Sequence, residues 1–474
     1  MAKEQNIWEG LKREVPAWFR DAKFGLFFHW GPYSVPAYQN EWYSRNMYGK
    51  GLDQNTYHEE HYGKLSEFGY KDFYDMLKGE KFDPEEWADM VVRSGAKYAG
   101  PVCEHGDNFS MWDSKVNPNN CMNYGIKRDV AGECAAAFRR RGIRYLSPFH
   151  HQWLWGWFMS TDPEADCYLP ENEIYYGKAV PLECGRYQPI RLPDEAFCIT
   201  WRDKVLEVIE KYAPDALYFD SRVNIIPETY RAAVARAYYQ KCPDGTITYK
   251  QEDFPAGLGV FDIERGRFSA AKEFAWQVDD RAEDCVTWCH TQDVKYRTPA
   301  DVIHQLCDIV SKNGNLLLNV GPREDGTFEQ SAKDTLYAVG DWLKVNGEAV
   351  YGTRPFAAAE EGPTKLEDSN FDVGKIQRQL KEGVERNEKI RGMTSRDIRF
   401  TAKGGTAYAI LMGWPADGRV DIRCLGEGGV KTDVHSVEML GCGEMLAWTR
   451  DQAGLHVVLP KQKPCNHAYS LRIR

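Results

Sequence analysis

The chain has 474 residues, with 60 basic and 70 acidic side chains and a formal net charge of −10. That acidic balance argues against a nucleic-acid binder, whose affinity depends on Lys and Arg placed at phosphates. A content of 15 Trp and 26 Tyr excludes disorder as the main state, and no run reaches the roughly 18 apolar residues of a membrane-spanning helix.

The start of the chain carries charges and isolated apolar side chains rather than a secretory signal. Residues 1–18 contain no apolar core of the kind that a signal peptide needs. The 13 cysteines are irregularly spaced and include no CxxC pair, which is untypical of a disulfide framework or a zinc cluster. We therefore expect reduced thiols and a cytoplasmic protein, unless a signal peptide has been removed from this chain.

Short β-like runs alternate with amphipathic helical stretches from about residue 22 to residue 347. The clearest helix is predicted over residues 83–95, between a capping Asp with Pro behind it and a terminating Gly. A second helix is predicted over residues 130–141, again followed by Gly. Alternation of this kind builds a parallel sheet.

Three of the predicted strands lead into polar residues at their carboxyl ends. They cover residues 97–103, 143–149 and 216–219, and are followed by EHGD, HH and Asp220. A parallel barrel carries its active site at this end of its strands. A doubly wound sheet is the alternative, but no GxGxxG or P-loop sequence follows an early strand. We therefore predict an α/β fold with a (β/α)8-like TIM barrel.

The pattern changes after residue 355. A charged, poorly periodic stretch over about residues 360–397 is followed by five alternating segments, which Gly, Asp and Pro separate. These segments are residues 406–414, 420–424, 436–440, 454–459 and 468–473. The sequence thus predicts two domains: a barrel over residues 1–355, and a C-terminal antiparallel β-sandwich with its charged connecting segment over residues 356–474.

Aromatic residues and carboxylates occur together along the predicted barrel. Rings can stack on the apolar face of a sugar while acids bind its hydroxyls; the tryptophans concerned are Trp42, Trp153, Trp155, Trp157, Trp276 and Trp288. Cleavage of a glycosidic bond needs two carboxyl groups, and Asp220 and Glu264 (in DIERG) are the candidates. Trp is also common in cores and acids in ion pairs, so the residues alone leave sugar chemistry as a hypothesis.

Several longer motifs match one known family. They are residues 22–36 (AKFGLFFHWGPYSVP), 41–43 (EWY), 124–129 (YGIKRD), 310–322 (VSKNGNLLLNVGP), 346–348 (NGE) and 351–352 (YG). On these motifs the chain resembles, along nearly its whole length, the retaining α-L-fucosidases of glycoside hydrolase family 29. The resemblance implies a catalytic barrel followed by a β-sandwich, and it implies neither a metal nor a cofactor.

The resemblance also implies roles for particular residues. Asp220 stands where the family carries its nucleophile. Glu264 resembles the acid/base of several members, and Glu252, Glu273 and Glu283 remain alternatives for that role. The predicted substrate-binding residues are His29, Glu41, Trp42, His105, His150, Trp276, Trp288 and His290.

The chain departs from the family pattern around the sugar site. The family's HHDGF is HGDNF here, so that Gly106 replaces a sugar-contacting His; Phe149 replaces a Tyr, and the usual WGY ends in His290. Loss of the imidazole predicts either an open space or a replacement by His150, His290 or Asn108. An open space would admit a substituent that fucose lacks, because a site that pairs substrate hydroxyls changes its preference when a partner is lost.

Histidines close to strand ends also raise the question of a metal. His105, Asp107, His150 and His151 include the donor types that Zn²⁺ prefers. However, His150 and His151 are adjacent and should point to opposite faces of a strand. We therefore expect no metal.

The sequence as a whole predicts a retaining exo-glycosidase that removes terminal α-L-fucosyl residues from oligosaccharides or glycoconjugates. One alternative is the same mechanism on a related sugar, such as an α-L-galactoside or a branched fucoside. Another is a carbohydrate-binding protein without catalysis. Neither a nucleic acid nor a membrane is expected as a partner, and the resemblance leaves a homo-oligomer open.

Overall fold

A computed structural model describes residues 6–179, 192–369, 392–430 and 432–474. Most of the predicted charged connecting segment, residues 370–391, lies outside the described residues. The described part divides into a closed barrel and a smaller unit of antiparallel sheets.

The barrel consists of eight parallel strands that neighbour one another in sequence order. They are β1 (Phe24–Phe28), β2 (Tyr98–Pro101), β3 (Arg144–Phe149), β4 (Ala216–Phe219), β5 (Thr246–Lys250), β6 (Val260–Asp262), β7 (Trp276–Arg281) and β8 (Gly314–Asn319). Pairing of β1 with β8 closes the barrel. The predicted (β/α)8-like barrel is confirmed.

Most helices within the described ranges lie between these strands, with α1 before the first strand and α10 after the last. They are α1 (Ala17–Ala22), α2 (Tyr43–Asn46), α3 (Asp53–His61), α4 (Pro84–Ser94), α5 (Val130–Arg140), α6 (Glu173–Tyr176), α7 (Glu195–Tyr212), α8 (Glu228–Lys241), α9 (Pro299–Ser311) and α10 (Gln330–Asn346). As predicted, Asp83 caps α4 by accepting the backbone N–H of Glu85, and Gly95 ends it at φ 87°. None of these helices is long and apolar enough to cross a bilayer.

Burial on both faces explains the apolar barrel strands. Every residue of β1, β4 and β8 is buried, as expected for parallel strands covered by helices outside and side chains inside. Polar side chains also lie inside the barrel and bind one another. The Tyr98 hydroxyl donates to Gln277 at 2.8 Å, and Gln277 donates to Asp262 at 2.7 Å. The interior beneath the strand ends is therefore a fixed hydrogen-bonded framework.

The C-terminal unit contains two antiparallel sheets, which confirms the predicted β-sandwich class. One has the order β13-β16-β11-β10-β9 and the other β12-β15-β14. The strands are β9 (Arg354–Glu361), β10 (Ile398–Lys403), β11 (Thr406–Leu411), β12 (Arg419–Ile422), β13 (Val437–Met439), β14 (Trp448–Arg450), β15 (Leu455–Val458) and β16 (Tyr469–Ile473). The sequence did not predict β9, β10 and β14, which all lie outside the five segments and whose charged residues interrupt their alternation.

Buried ion pairs join the C-terminal sheet to the barrel. Arg399 of β10 is fully buried and donates from Nε to Asp308 Oδ1 at 2.7 Å. Lys312 binds the same Asp308 oxygen at 2.8 Å and Glu360 of β9 at 3.2 Å. Since buried charges need all their partners, these four residues hold α9 and the sheet together as one network.

Candidate active site

The carboxyl ends of the barrel strands bring most of the predicted site residues together. They follow different strands: His29 after β1, His105 after β2, His150 after β3, Asp220 after β4, Glu264 after β6 and Trp288 after β7. Parallel strands all end on the same side of a barrel, so residues far apart in sequence meet there.

A buried lysine lies between the two predicted catalytic carboxylates. Lys250, the last residue of β5, places Nζ 2.9 Å from Asp220 Oδ1 and 2.9 Å from Glu264 Oε2. A third carboxylate, Asp279 of β7, lies 3.0 Å from the same Nζ. The two bound oxygens of Asp220 and Glu264 are therefore no more than about 6 Å apart, below the roughly 6.5–9.5 Å of inverting glycosidases.

The surroundings of Asp220 and Glu264 favour opposite protonation states. Burial acts to raise the pKa of Asp220, but the Lys250 charge and His150 hold that pKa well below its usual range. Burial raises the pKa of Glu264, although Lys250 and Arg265 oppose the rise. One carboxyl is thus kept ionised and the other is favoured as an acid, which is the pairing that glycoside cleavage requires.

Two further donors hold the Asp220 carboxylate in place. The indole N–H of Trp153 donates to Asp220 Oδ2 at 2.7 Å, and His150 Nδ1 lies 3.4 Å from the same oxygen. Gln152 donates to the backbone carbonyl of Asp220 at 2.8 Å. The sequence analysis considered Trp153 only as a ring for stacking on sugar; the structure uses its N–H as well.

Three histidines form a cluster beside Asp220. Ring centroids of His150 lie 4.9 Å from His29 and 5.0 Å from His105. Burial, with the neighbouring imidazoles second, holds the pKa of His29 and His105 well below the usual range, so both rings are neutral. His29 Nδ1 lies 2.7 Å from Asn319 Oδ1, which fixes the ring and leaves Nε2 for a ligand.

Among the residues that the structure describes, these three histidines are the one group whose ligand atoms are close enough together to hold a metal ion. Their ring nitrogens lie within 4.8 Å of one another. The residues that the sequence analysis weighed with them lie elsewhere: Asp107 accepts from Tyr70 at 2.7 Å, and His151 Nε2 lies 3.2 Å from the carbonyl of Trp201. Neutral imidazoles can bind sugar hydroxyls as well as they can bind a metal ion, because each imidazole offers one hydrogen-bond donor and one acceptor.

Glu41, Trp42 and Trp288 also lie beside the histidines and Asp220. Glu41 Oε2 accepts the backbone N–H of Trp288 at 2.8 Å, and burial raises the pKa of Glu41 to about 7. The Trp288 ring lies 5.5 Å from His29 and the Trp42 ring 5.5 Å from Trp153. These predicted substrate-binding residues are therefore grouped with the histidines and the nucleophile.

The position of Gly106 is filled rather than open. A Cβ added there would lie 2.9 Å from two ring atoms of Trp157 and 3.0 Å from Trp153 Cβ. Of the predicted replacements, His150 joins the histidine cluster, whereas Asn108 donates to the carbonyls of Ile174 and Tyr175. The alternative of an open space is wrong, because the Trp157 ring and the Trp153 Cβ occupy it.

We expect Gly106→His to destabilise the protein, because the new side chain must displace Trp157, which is fully buried. Gly106→Ala should already cost about 1–3 kcal/mol in free energy of unfolding, as overpacked cores do. Urea unfolding measures this, with Gly428→Ala as the matched control, since nothing lies within 4 Å of a Cβ at that position. Equal stability of Gly106→Ala and wild type would contradict the packing described here.

Two predicted substrate-binding residues lie outside the cluster. Trp276 is fully buried at the amino end of β7, where its indole N–H donates to the Lys312 carbonyl at 2.8 Å. The prediction for Trp276 is wrong, because that end of the strand is opposite the catalytic carboxylates. His290 Nε2 instead lies 3.0 Å from Glu329 Oε1.

The alternatives for the acid/base are placed less favourably than Glu264. Glu252 and Glu273 are exposed. Glu283 is buried, accepts the backbone N–H of Gly321 at 2.8 Å, and has a pKa raised to about 8 mainly by burial. None of the three binds Lys250, so Glu264 is the one that shares a cation with Asp220.

Sequence reasoning missed Lys250, Asp279 and Asn319. Lys250 ends the buried strand β5, and a lysine closing such a strand was a usable signal. Asp279 lies within β7 and Asn319 ends β8, and nothing in the sequence separates a site residue there from a barrel-lining one.

Comparisons with known proteins show which proteins this chain is similar to. The family model Alpha-L-fucosidase matches residues 2–348, and the model Alpha-L-fucosidase C-terminal domain matches residues 391–474. The tissue alpha-L-fucosidase of Rattus norvegicus is 28% identical over 96% of this chain and 88% of its own length.

Two solved structures extend the likeness. The alpha-fucosidase of Thermotoga maritima, in complex with a mechanism-based inhibitor, has a TM-score of 0.77 at 26% identity, covering 98% of both chains. An alpha-L-fucosynthase from the same organism with an Asp-to-Gly substitution, in complex with a fucosyl fucosyl azide, has a TM-score of 0.75 at 25% identity, covering 97% of both chains.

Proposed function

This chain belongs to the α-L-fucosidase family and is a glycoside hydrolase, and from that premise we propose that Asp220 and Glu264 hydrolyse terminal α-L-fucosyl residues by double displacement. The observation that carries the assignment is the shared contact of both carboxylates with Lys250. The contact with Lys250 determines both the distance between the two carboxyl groups and their protonation states.

In the first step Asp220 attacks the anomeric carbon. Its carboxylate is ionised and is held by Trp153 and Lys250. Glu264 donates its proton to the glycosidic oxygen as that bond breaks, which leaves a fucosyl ester on Asp220 and a neutral leaving sugar. The buried surroundings that raise the pKa of Glu264 make it a better acid catalyst at neutral pH.

In the second step Glu264 acts as a base. Once Asp220 is esterified it carries no charge, so Lys250 retains Glu264 and Asp279 as its anionic partners. This stabilises Glu264 as a carboxylate, which removes a proton from water as the water attacks the anomeric carbon. Asp220 is released as a carboxylate and the sugar leaves with its original configuration.

The histidine cluster suits the hydroxyl-bearing face of fucose. His29 and His105 are neutral and can each donate or accept a hydrogen bond. Because Trp157 and Trp153 fill the space beside Gly106, the site favours fucose over a sugar with an added hydroxymethyl group.

Hydrolysis of an aryl α-L-fucoside followed by proton NMR tests the proposal. We expect α-L-fucose as the first-formed sugar and a much lower kcat/KM on the corresponding aryl α-L-galactoside. First formation of the β anomer would reject double displacement, and preference for the galactoside would restore the related-sugar alternative.

Replacement of Lys250 by Met should move the pH profile of kcat/KM to higher pH. Loss of the cation raises the pKa of Asp220, which must be ionised, so the acidic limb moves up; it also raises the pKa of Glu264, which must be protonated, so the alkaline limb moves up too. We expect kcat/KM at neutral pH to fall by about 10²–10³-fold, the usual effect of losing one electrostatic group.

Two variants control for a structural effect at Lys250. Lys250→Arg retains the charge and should restore both limbs towards their original positions, whereas the exposed Lys241→Met should change nothing. Lower activity of Lys250→Met with both limbs in place would show that Lys250 supports only the fold.

We also propose that the enzyme works in a reducing compartment, as the sequence predicts. Twelve cysteines among the described residues are free thiols, which supports this. Thiol titration of the denatured protein, purified without reductant, should find all 13 cysteines reactive; a lower number would argue for an oxidising compartment.

A further inference from the structure

Arg222, in the turn after the nucleophile, has hydrogen-bond donors that the described residues do not use. Arg222 Nη2 donates to the carbonyl of Trp155 at 3.0 Å. Its Nε and Nη1 have no acceptor among the described residues, and neither nitrogen is sealed from solvent. Two donor groups of a half-buried side chain are therefore open to a ligand.

Among the residues that the structure describes, Arg222 also has no countercharge. Burial lowers its pKa to about 10, and no carboxylate offsets that fall. The acids around it have other partners: Asp220 binds Lys250, and Asp253 accepts the backbone N–H of Asn224 at 2.9 Å. Desolvated charges in proteins are normally paired, so the arrangement fits an anion that arrives with a ligand.

The backbone at Arg222 is held in an uncommon conformation. Its φ is +80°, in the left-handed region that non-glycine residues rarely adopt. Such strain persists where the surroundings fix it, and it is frequent at ligand sites.

The conformation places the guanidinium 4.8 Å from the ring centre of Trp153. The indole N–H of Trp153 is bound to Asp220, so a single indole ring separates Arg222 from the nucleophile. The histidines flank Asp220 itself, whereas Arg222 lies beyond Trp153. A substrate group that reaches Arg222 therefore belongs to the part outside the fucosyl unit.

We propose that Arg222 binds an anionic substituent, a carboxylate or a sulfate ester, on the sugar from which the fucosyl residue is removed. The inference rests on the proposed function, because it assigns the leaving part of that substrate. A guanidinium beside an aromatic ring is a permanently charged hydrogen-bond donor, which suits the oxygens of such anions. The enzyme should accordingly prefer acidic fucosylated glycans to their neutral counterparts.

The test compares three fucosyl disaccharides whose leaving sugars are galactose, galacturonic acid and a galactose sulfate. The measured quantity is kcat/KM on each acidic substrate divided by kcat/KM on the neutral one. We expect Arg222→Met to lower this ratio about tenfold and Arg222→Lys to lower it less. Effects of the substitution on Asp220 through Trp153 act on all substrates and cancel in the ratio.

Two controls accompany the comparison. Arg236→Met removes an exposed guanidinium from α8 and should leave the ratio unchanged. Raising the ionic strength from about 0.05 M to 0.5 M should lower the ratio for the wild type more than for Arg222→Met, because salt screens the charge pair.

The outcomes separate the possible anions and the two proposals. If Arg222→Met lowers the ratio only for the galacturonate substrate, the anion bound is a carboxylate; if it lowers the ratio only for the sulfated substrate, the anion is a sulfate ester. Equal ratios in the wild type and in Arg222→Met would overturn the inference. No turnover of any of the three disaccharides would reject the proposed function instead. In that case, calorimetric titration with free galacturonate and with galactose sulfate tests anion binding directly. Equal affinity of the wild type and of Arg222→Met for these sugars would count against Arg222 as the binding residue.

Discussion

Asp220→Gly should lower turnover of an activated aryl α-L-fucoside by several orders of magnitude while the fold stays intact. The carboxylate forms the covalent bond of the first step, so without it neither chemical step has its usual route. Removal also leaves Trp153 and Lys250 without their shared acceptor, which a small anion can replace.

Azide should restore turnover of Asp220→Gly by occupying the space of the lost carboxylate. It attacks from the same face in a single displacement, and the product is β-L-fucosyl azide, of inverted configuration. Asp244→Gly is a suitable control, since Asp244 is exposed just before the amino end of β5. Activity of Asp220→Gly close to wild type, with an unchanged circular dichroism spectrum, would remove Asp220 from the mechanism.

Glu264→Ala should affect substrates according to their leaving groups. We expect a loss of about 10²–10⁴-fold in kcat/KM for fucosyl disaccharides, the usual contribution of a positioned proton donor. An aryl fucoside whose phenolate leaves without a proton should lose far less in kcat/KM. Its kcat should fall, because the fucosyl ester on Asp220 then waits for water that no base activates, and a burst of phenol should show this accumulation.

Azide distinguishes Glu264 from Asp220 by stereochemistry. In Glu264→Ala it attacks the fucosyl ester, and the two inversions give α-L-fucosyl azide. Glu252→Ala and Glu273→Ala, both exposed, should behave as the wild type. If Glu283→Ala shows the dependence on leaving group and Glu264→Ala does not, the acid/base is Glu283.

The fold could be predicted because its signals are local and repeated. Caps such as Asp83, terminating glycines such as Gly95 and buried runs such as β8 each act within a few residues. The convergence of Asp220 and Glu264 could be predicted for the same reason, since the ends of parallel strands meet wherever the barrel closes.

The rest depends on packing across the barrel, which spacing along the chain does not determine. Lys250 becomes the central cation only because Asp220, Glu264 and Asp279 converge on it from three strands. The side chain that fills the space beside Gly106 comes from a loop about fifty residues later in the sequence. Trp276 was wrongly predicted to bind substrate, because its aromatic character alone does not show at which end of a strand it lies.

The ion network between β10, β9 and α9 has a consequence for protein engineering. The barrel and the C-terminal sheets are not interchangeable modules. In a chimera that carries a foreign C-terminal unit, Asp308 and Lys312 face a surface without Arg399 and Glu360. Their charges are then buried in the interface without ion-pair partners. Recombination between relatives will succeed only where these four positions are inherited from the same parent.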